Sequence, residues 1–240
     1  MGGKKREDVL VLFSGGRDSF LTTCHLIEDD CKALMVTFDN GAGLAGKNAK
    51  HGARRIIGQY GKESAQFLGV YSTAGLWREF MAPYNNMKPS EVIGCYGELP
   101  YSQFNCLTCR SAMYTWVILK ARELGVRYAA DGARSNQRFV IELPCMTERF
   151  EEFFRSFGME IMFPVQDLEY DWRLKNLLLG LGFVPKVLEP QCILGTPLEE
   201  DLEENVKEAV VAYFDQIIFP KARELVEMGF PIKARAGELL

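Results

Sequence analysis

Hydrophobic and polar positions alternate in two registers along this chain. DVLVLF at 8–13 and ALMVTF at 33–38 are short, nearly continuous apolar runs of strand length, and the stretch between them has helical spacing. The pattern then repeats. It predicts strands over 8–13, 33–38, 65–72, 128–131 and 159–165, and helices over 19–28, 48–60, 75–84, 107–124, 147–157 and 171–181. The stretch NNMKPSEVIGCYGELPYSQFN, 85–105, reads as irregular. Strands alternating with helices imply right-handed crossovers, hence an α/β fold: a doubly wound, mostly parallel, Rossmann-like sheet covered on both faces. Such sheets bind ligands beyond the carboxyl ends of their strands.

Beyond Pro197 the pattern changes. An acidic stretch leads into Val206, Val210, Tyr213, Phe214, Ile217 and Ile218 at helical spacing, which predicts a C-terminal helical extension over 196–240 on a domain spanning 1–195. A chain of 240 residues, 48% hydrophobic and 25% charged, suits one sizeable core. No apolar run approaches the roughly 20 residues of a membrane span, so the expectation is a cytoplasmic protein without membrane contact. A net charge of −4 argues against wholesale coating of nucleic acid. Seven cysteines do not suit a complete disulfide framework and favour reduced thiols free for metal or catalysis.

The chemistry concentrates at the first strand–helix junction, Ser14-Gly15-Gly16-Arg17-Asp18-Ser19. A glycine pair after a parallel strand lets backbone N–H groups turn towards anionic oxygens, and the following helix N-terminus adds a positive end. Serine hydroxyls can donate to phosphate oxygens, and Asp18 can hold Mg²⁺. The plainer reading is a tight turn with Ser19 or Asp18 as a helix cap. In a second glycine segment, GAGLAGKN at 41–48, Asn replaces the Ser or Thr of a kinase-type loop; it reads as a flexible connection, with Lys47 near a nucleotide.

Placed after the first strand, SGGRDS resembles the SGGxDS loop of the PP-loop ATP pyrophosphatases, the adenine nucleotide alpha-hydrolase-like superfamily. The resemblance implies an enzyme in which ATP adenylates a substrate oxygen and releases pyrophosphate. Carried over, Ser14, Gly15, Gly16, Asp18 and Ser19 would hold pyrophosphate and Mg²⁺, with Asp18 and Ser14 as catalytic residues. Thr37 to Asp39 would lie near adenine and ribose, and Gly132 would also bind the nucleotide.

Cysteine supplies a second constellation. Cys106 and Cys109, in NCLTCR, fall at the expected N-terminus of one helix, where the dipole favours thiolates, and Cys192 follows 83 residues after Cys109. The residues alone leave open one metal held by three thiolates, a redox dithiol, separate buried cysteines, or zinc completed by Cys95, Cys145 or a histidine. Behind a PP-loop, the pattern resembles the tRNA thiolases and the pincer-nickel cofactor sulfur-insertion enzymes, and implies a [4Fe-4S] cluster on Cys106, Cys109 and Cys192. Tyr101, Phe104 and Ile193 are its expected shield. The resemblance runs over about residues 8–195, through ADGARSNQ and the stretch ending in VLEPQC. DGARSNQ lacks the acidic residue relatives often carry there, and the thiolases' zinc-finger modules have no counterpart in the sequence.

The implied reaction is adenylation followed by sulfur transfer, with ATP, a sulfur donor such as hydrosulfide or a carrier, and tRNA or a small molecule as partners, and a homodimer as a possible assembly. The alternatives are ATP-dependent amidation or nitrile formation of the 7-cyano-7-deazaguanine synthase type with structural zinc, and an ATP-binding sensor without turnover. Arg110, Arg122, Arg127, Arg134 and Arg138 read as solvated helix and loop charge rather than a phosphate- or tRNA-facing rim. His25 and His51 are isolated and read as structural.

Overall fold

A computed structural model describes residues 6–40, 45–97, 99–184, 192, 195, 197–198 and 203–232. Five strands, β1 (Asp8–Leu12), β2 (Lys32–Phe38), β3 (Ala65–Tyr71), β4 (Tyr128–Ala130) and β5 (Glu160–Met162), form one sheet in the order β3-β2-β1-β4-β5. Every pairing is parallel. The helices are α1 (Arg17–Glu28), α2 (Ala45–Tyr60), α3 (Ala74–Asn86), α4 (Pro89–Tyr96), α5 (Tyr101–Leu124), α6 (Pro144–Ser156), α7 (Asp171–Gly180), α8 (Glu203–Tyr213) and α9 (Phe219–Glu227). A 3-10 turn, Val140–Glu142, precedes α6, and a π turn, Phe214–Ile218, joins α8 to α9.

The apolar runs work because a strand buried on both faces sends alternate side chains into two cores. In β1 and β2, Leu10, Leu12, Leu34 and Val36 pack into one core, while Val9, Val11, Ala33 and Met35 pack into the other. The second core is closed by α1, α2 and α7 through Phe20, Leu21, Ile56, Leu174 and Leu178. The first is larger. It takes in α3, α5 and α6, and the C-terminal helices join it through Val206, Val210, Phe214, Ile218, Leu225 and Val226. Truncating a fully buried member such as Leu10 to alanine costs about 2–5 kcal/mol.

Two expectations need correction. The 85–105 stretch is not irregular throughout: the Glu91 carboxylate accepts from Lys88 N–H at 3.0 Å at the start of α4, Pro89 takes the first helical turn, and α5 begins at Tyr101. The fifth strand is shorter than expected, because the apolar residues after Met162 turn away, with Gln166 N–H donating to Phe163 O and Leu168 N–H to Val165 O. Among the described residues no helix is long and apolar enough to cross a membrane.

Candidate functional site

The strand order reverses direction of winding between β1 and β4, and a cavity of about 610 Å³ opens there at the carboxyl ends of the strands. Its walls come from the loop after β1 (Ser14, Gly16, Asp18, Ser19), the end of β2 (Phe38, Asn40), the segment after β4 (Asp131, Gly132, Gln137), and α5 with all three cysteines of the second constellation.

The loop is held by its own small residues. Gly16 N–H donates to Ser14 Oγ at 3.2 Å, the Ser14 and Ser19 hydroxyls lie 3.1 Å apart, and Ser19 Oγ reaches Gly16 O at 3.1 Å. Gly15 has φ +80°, and a Cβ there would stand 2.6 Å from Ala49 N, so only glycine lets the loop lie against the start of α2. Gly132 does the same from the other side: its Cβ would fall 2.7 Å from Ser19 N. The loop is thus clamped between α2 and the end of β4, with the N-terminus of α1 pointing into the cavity.

Asp18 is already engaged. Arg134 Nε lies 2.8 Å from its Oδ1, and Gln137 Nε2 donates to its Oδ2 at 3.0 Å. Arg134 is itself buried and also pairs with Asp171, which holds the Asp171 carboxyl below its usual range. The expected Mg²⁺ ligand therefore sits within an ion-pair network, and a cation at Asp18 would share or displace these partners.

A second network floors the cavity. Asp131 is buried and bonded to the Arg110 guanidinium and, at 2.7 Å, to the Tyr114 hydroxyl. Burial alone would lower Arg110; the Asp131 carboxylate outweighs it and raises it. Glu142, on the 3-10 turn, is pushed from 4.5 up to about 7 by burial, with Arg110 opposing.

The three cysteines share the wall without closing on one another. Cys106 and Cys109 lie one turn apart on α5, and a Cβ on Gly195 would stand 3.1 Å from Cys106 Sγ and 3.9 Å from Cys192 Cβ, so the Gly195 backbone packs closely against the Cys106 thiol. Among the described residues no group of three His, Cys, Asp or Glu side chains is drawn together to hold a metal. The helix-dipole expectation is overturned. Because α5 starts at Tyr101, neither thiol is at its N-terminus, and burial pushes Cys106 up to about 12, with Cys192 adding to the rise. Burial raises Cys109 as well, against an Asn40 Nδ2 donor 3.0 Å from its sulfur.

Other expected positions fall elsewhere. Thr37 is buried with its hydroxyl donating to Phe13 O at 2.5 Å, and neither it nor Asp39 lines the cavity; Phe38 and Asn40 do. Tyr101 is 56% exposed and Phe104 packs on Tyr84 and Tyr213, so neither shields the cysteines; Phe38, Trp77, Met113 and Phe139 line the cavity instead. Ile193, residues 41–44 and the Lys47 side chain lie outside the described residues. The arginine group divides. Arg110 and Arg134 belong to the site, whereas Arg122 lies over Phe157 and Arg127 over Tyr128.

Sequence reasoning missed Asn40 and Glu142, which lie in a loop and a short turn without a motif, and Gln137, which closes the ADGARSNQ segment. Asp131 carried a signal, a carboxylate closing an apolar strand run just before a glycine.

No family model matches the chain, and no curated protein matches it significantly. Solved structures do. A 4-thiouridine synthetase, solved with RNA and bound ATP, is similar over 95% of this chain and 54% of its own, at 13% identity and a TM-score of 0.59. The NMN synthetase from Francisella tularensis is similar over 93% of this chain and 83% of its own, at 11% identity and a TM-score of 0.51. The chain thus spans about half the length of the thiouridine synthetase. At these identities the likeness is one of fold, the parallel α/β sheet covered by helices that the alternating strands and helices implied.

Proposed function

We propose that this chain is a PP-loop ATP pyrophosphatase that adenylates a substrate oxygen and replaces it with sulfur. One observation carries the reading: the Ser14–Ser19 loop and Cys106, Cys109 and Cys192 line the same cavity at the carboxyl ends of the strands. In the first step the substrate oxygen attacks the α-phosphorus, the bond from that phosphorus to the bridging oxygen breaks, and pyrophosphate leaves. In the second, hydrosulfide adds to the activated carbon and the carbon–oxygen bond breaks. AMP departs with the original oxygen, so one sulfur enters for each oxygen lost.

Backbone N–H groups of the loop and the Ser14 and Ser19 hydroxyls bind the departing pyrophosphate, and the α1 dipole favours its charge. Gly132 brings the backbone after β4 against the start of α1, which sets the cavity's width at the reacting end. Phe38, Trp77, Met113 and Phe139 exclude water from the adenylate. The donor set of three cysteines has the chemistry of a thiolate site, and Cys106, Cys109 and Cys192 are the residues that would hold a [4Fe-4S] cluster. When bound, that group supplies a Lewis-acidic iron for inorganic sulfide. Their nearness to the loop supports the assignment.

The test is product analysis under anaerobic conditions with ATP, sulfide and candidate acceptors. AMP and pyrophosphate in step with sulfur incorporation are expected. ADP and phosphate as products would refute adenylation, and AMP formation that ammonium rather than sulfide completes would favour amidation.

A further inference from the structure

Among the described residues that line the cavity, Arg110 alone carries a cationic side chain. It stands between the two halves of the site. Cys109 precedes it on α5, and its partner Asp131 precedes Gly132, whose backbone lies against Ser19 of the glycine loop. The guanidinium is anchored at one corner. Nη1 donates to Asp131 Oδ2, the same oxygen takes the Tyr114 hydroxyl at 2.7 Å, and Arg110 Cζ lies 5.9 Å from the centre of the Tyr114 ring. Both anchors are rigid: Asp131 N–H donates to Met162 O at 3.0 Å, and the Tyr114 ring packs edge-on against Phe150 and Phe154. Nε and Nη2 have no acceptor among the described residues, and the Arg110 side chain keeps 24% exposure. A guanidinium holds five N–H donors in a planar fork and keeps its proton, so the unbonded edge calls for an anion.

We infer that the unbonded edge of Arg110 receives the α-phosphate, so that the helix carrying two of the thiols also grips the phosphorus at which adenylation occurs. The inference rests on the adenylation reading and assigns one contact within it. With pyrophosphate on the glycine loop and the activated carbon at the cysteines, the α-phosphorus lies between them, and that is where Arg110 stands. Charge gathers there. As the substrate oxygen bonds to the α-phosphorus and the bond to the bridging oxygen breaks, negative charge is spread over the two non-bridging oxygens. A guanidinium already anchored by Asp131 meets that charge without reorganising, and no proton leaves it in the step. Because Arg110 follows Cys109 directly, the same contact holds the adenylate beside the thiol wall.

The test is calorimetric titration of the full chain with AMP, adenosine and inorganic pyrophosphate, which divide the nucleotide at the α-phosphate. The wild type should bind AMP about tenfold or more tightly than adenosine, as a charge-assisted hydrogen-bonded pair provides. The double variant Arg110→Gln/Asp131→Asn removes both charges, so that neither is left buried alone. There the ratio should fall below about threefold while pyrophosphate affinity stays within about threefold of the wild type. Arg110→Lys keeps the ion pair with Asp131 but has no second edge, and it should lower the ratio by about threefold or more. Thermal midpoints show that each variant is folded, and either variant alone suffices. Equal binding of AMP and adenosine by a wild type that binds pyrophosphate, an unchanged ratio in a folded variant, or an equal loss of AMP and pyrophosphate affinity overturns the inference. A wild type that binds neither AMP nor pyrophosphate overturns the adenylation reading instead.

Discussion

Arg134 Nε stands 2.8 Å from Asp18 Oδ1, so the only carboxylate of the glycine loop is neutralised by an arginine from the segment after β4. Asp18 therefore ties the two sides of the cavity together as well as offering charge to a cation. Asp18→Asn keeps the shape and removes the charge, and it should lower ATP-dependent release of AMP and pyrophosphate by about a hundredfold or more. Activity near the wild-type level in a coupled pyrophosphate assay would show that the carboxylate has no part in the chemistry.

The loop glycines should separate stability from binding. Gly15→Ala places a Cβ 2.6 Å from Ala49 N at a residue with φ +80°, so it should lower stability by about 1–3 kcal/mol, seen as a lower thermal midpoint. Gly16 has an ordinary φ of −73° and its Cβ would meet only Ser14 Oγ, at 3.2 Å. Gly16→Val should therefore leave the midpoint nearly in place while weakening ATP at least tenfold, because its branches crowd the backbone on the phosphate side. Unchanged ATP affinity in Gly16→Val would move the nucleotide away from the loop.

Cys106→Ala, Cys109→Ala and Cys192→Ala should each abolish iron retention and sulfur transfer in anaerobically reconstituted protein while leaving ATP affinity within about threefold. Alkylation of the metal-free protein gives an independent check. Exposed Cys192 should react with iodoacetamide well before Cys106, whose thiol burial pushes up to about 12. Mass spectrometry of time points resolves the order, and Cys106 reacting first would contradict the burial described for it.

Stability of the ligand-free protein should carry a signature of Glu142. Its carboxyl rises from 4.5 to about 7 through burial, opposed by Arg110, with Asp131 and Cys106 also facing it. Between those values the folded state keeps a proton that the unfolded chain has released. Stability therefore falls as pH rises from about 4.5 through 7, by about 3 kcal/mol in all, and this contribution is constant above that window. Glu142→Gln should flatten the trend, which urea denaturation at pH 5 and pH 7.5 measures. An equal pH dependence in the variant would mean that Glu142 is not the group responsible.

Most of the sheet was legible because β1 and β2 are buried on both faces, and unbroken buried runs of four and five residues leave little choice of element. The glycine loop was legible for a related reason, since Gly15 and Gly132 are fixed by close backbone approaches that no side chain permits. The start of α5 was not legible. Tyr101 to Asn105 has no polar cap, and its helix is determined by packing, with Gln103, Phe104 and Asn105 all buried. That six-residue error misplaced the thiols along the helix and reversed the sense of their acidity. The contributions of Asn40, Gln137 and Glu142 depend on distant segments meeting at the strand ends, and no local pattern encodes such a meeting.

The meeting of Gly195 and Cys192 with the α5 thiol of Cys106 has a consequence for how the molecule is made. Synthesis delivers the glycine loop and both α5 thiols well before Cys192, and the α8 and α9 side chains that complete the larger core come later still. In the order of synthesis the third thiol of the cavity wall follows all five strands, the glycine loop and the α5 thiols. Chain order thereby separates two events in time, delivery of the glycine loop with the α5 thiols and completion of the sulfur-rich wall.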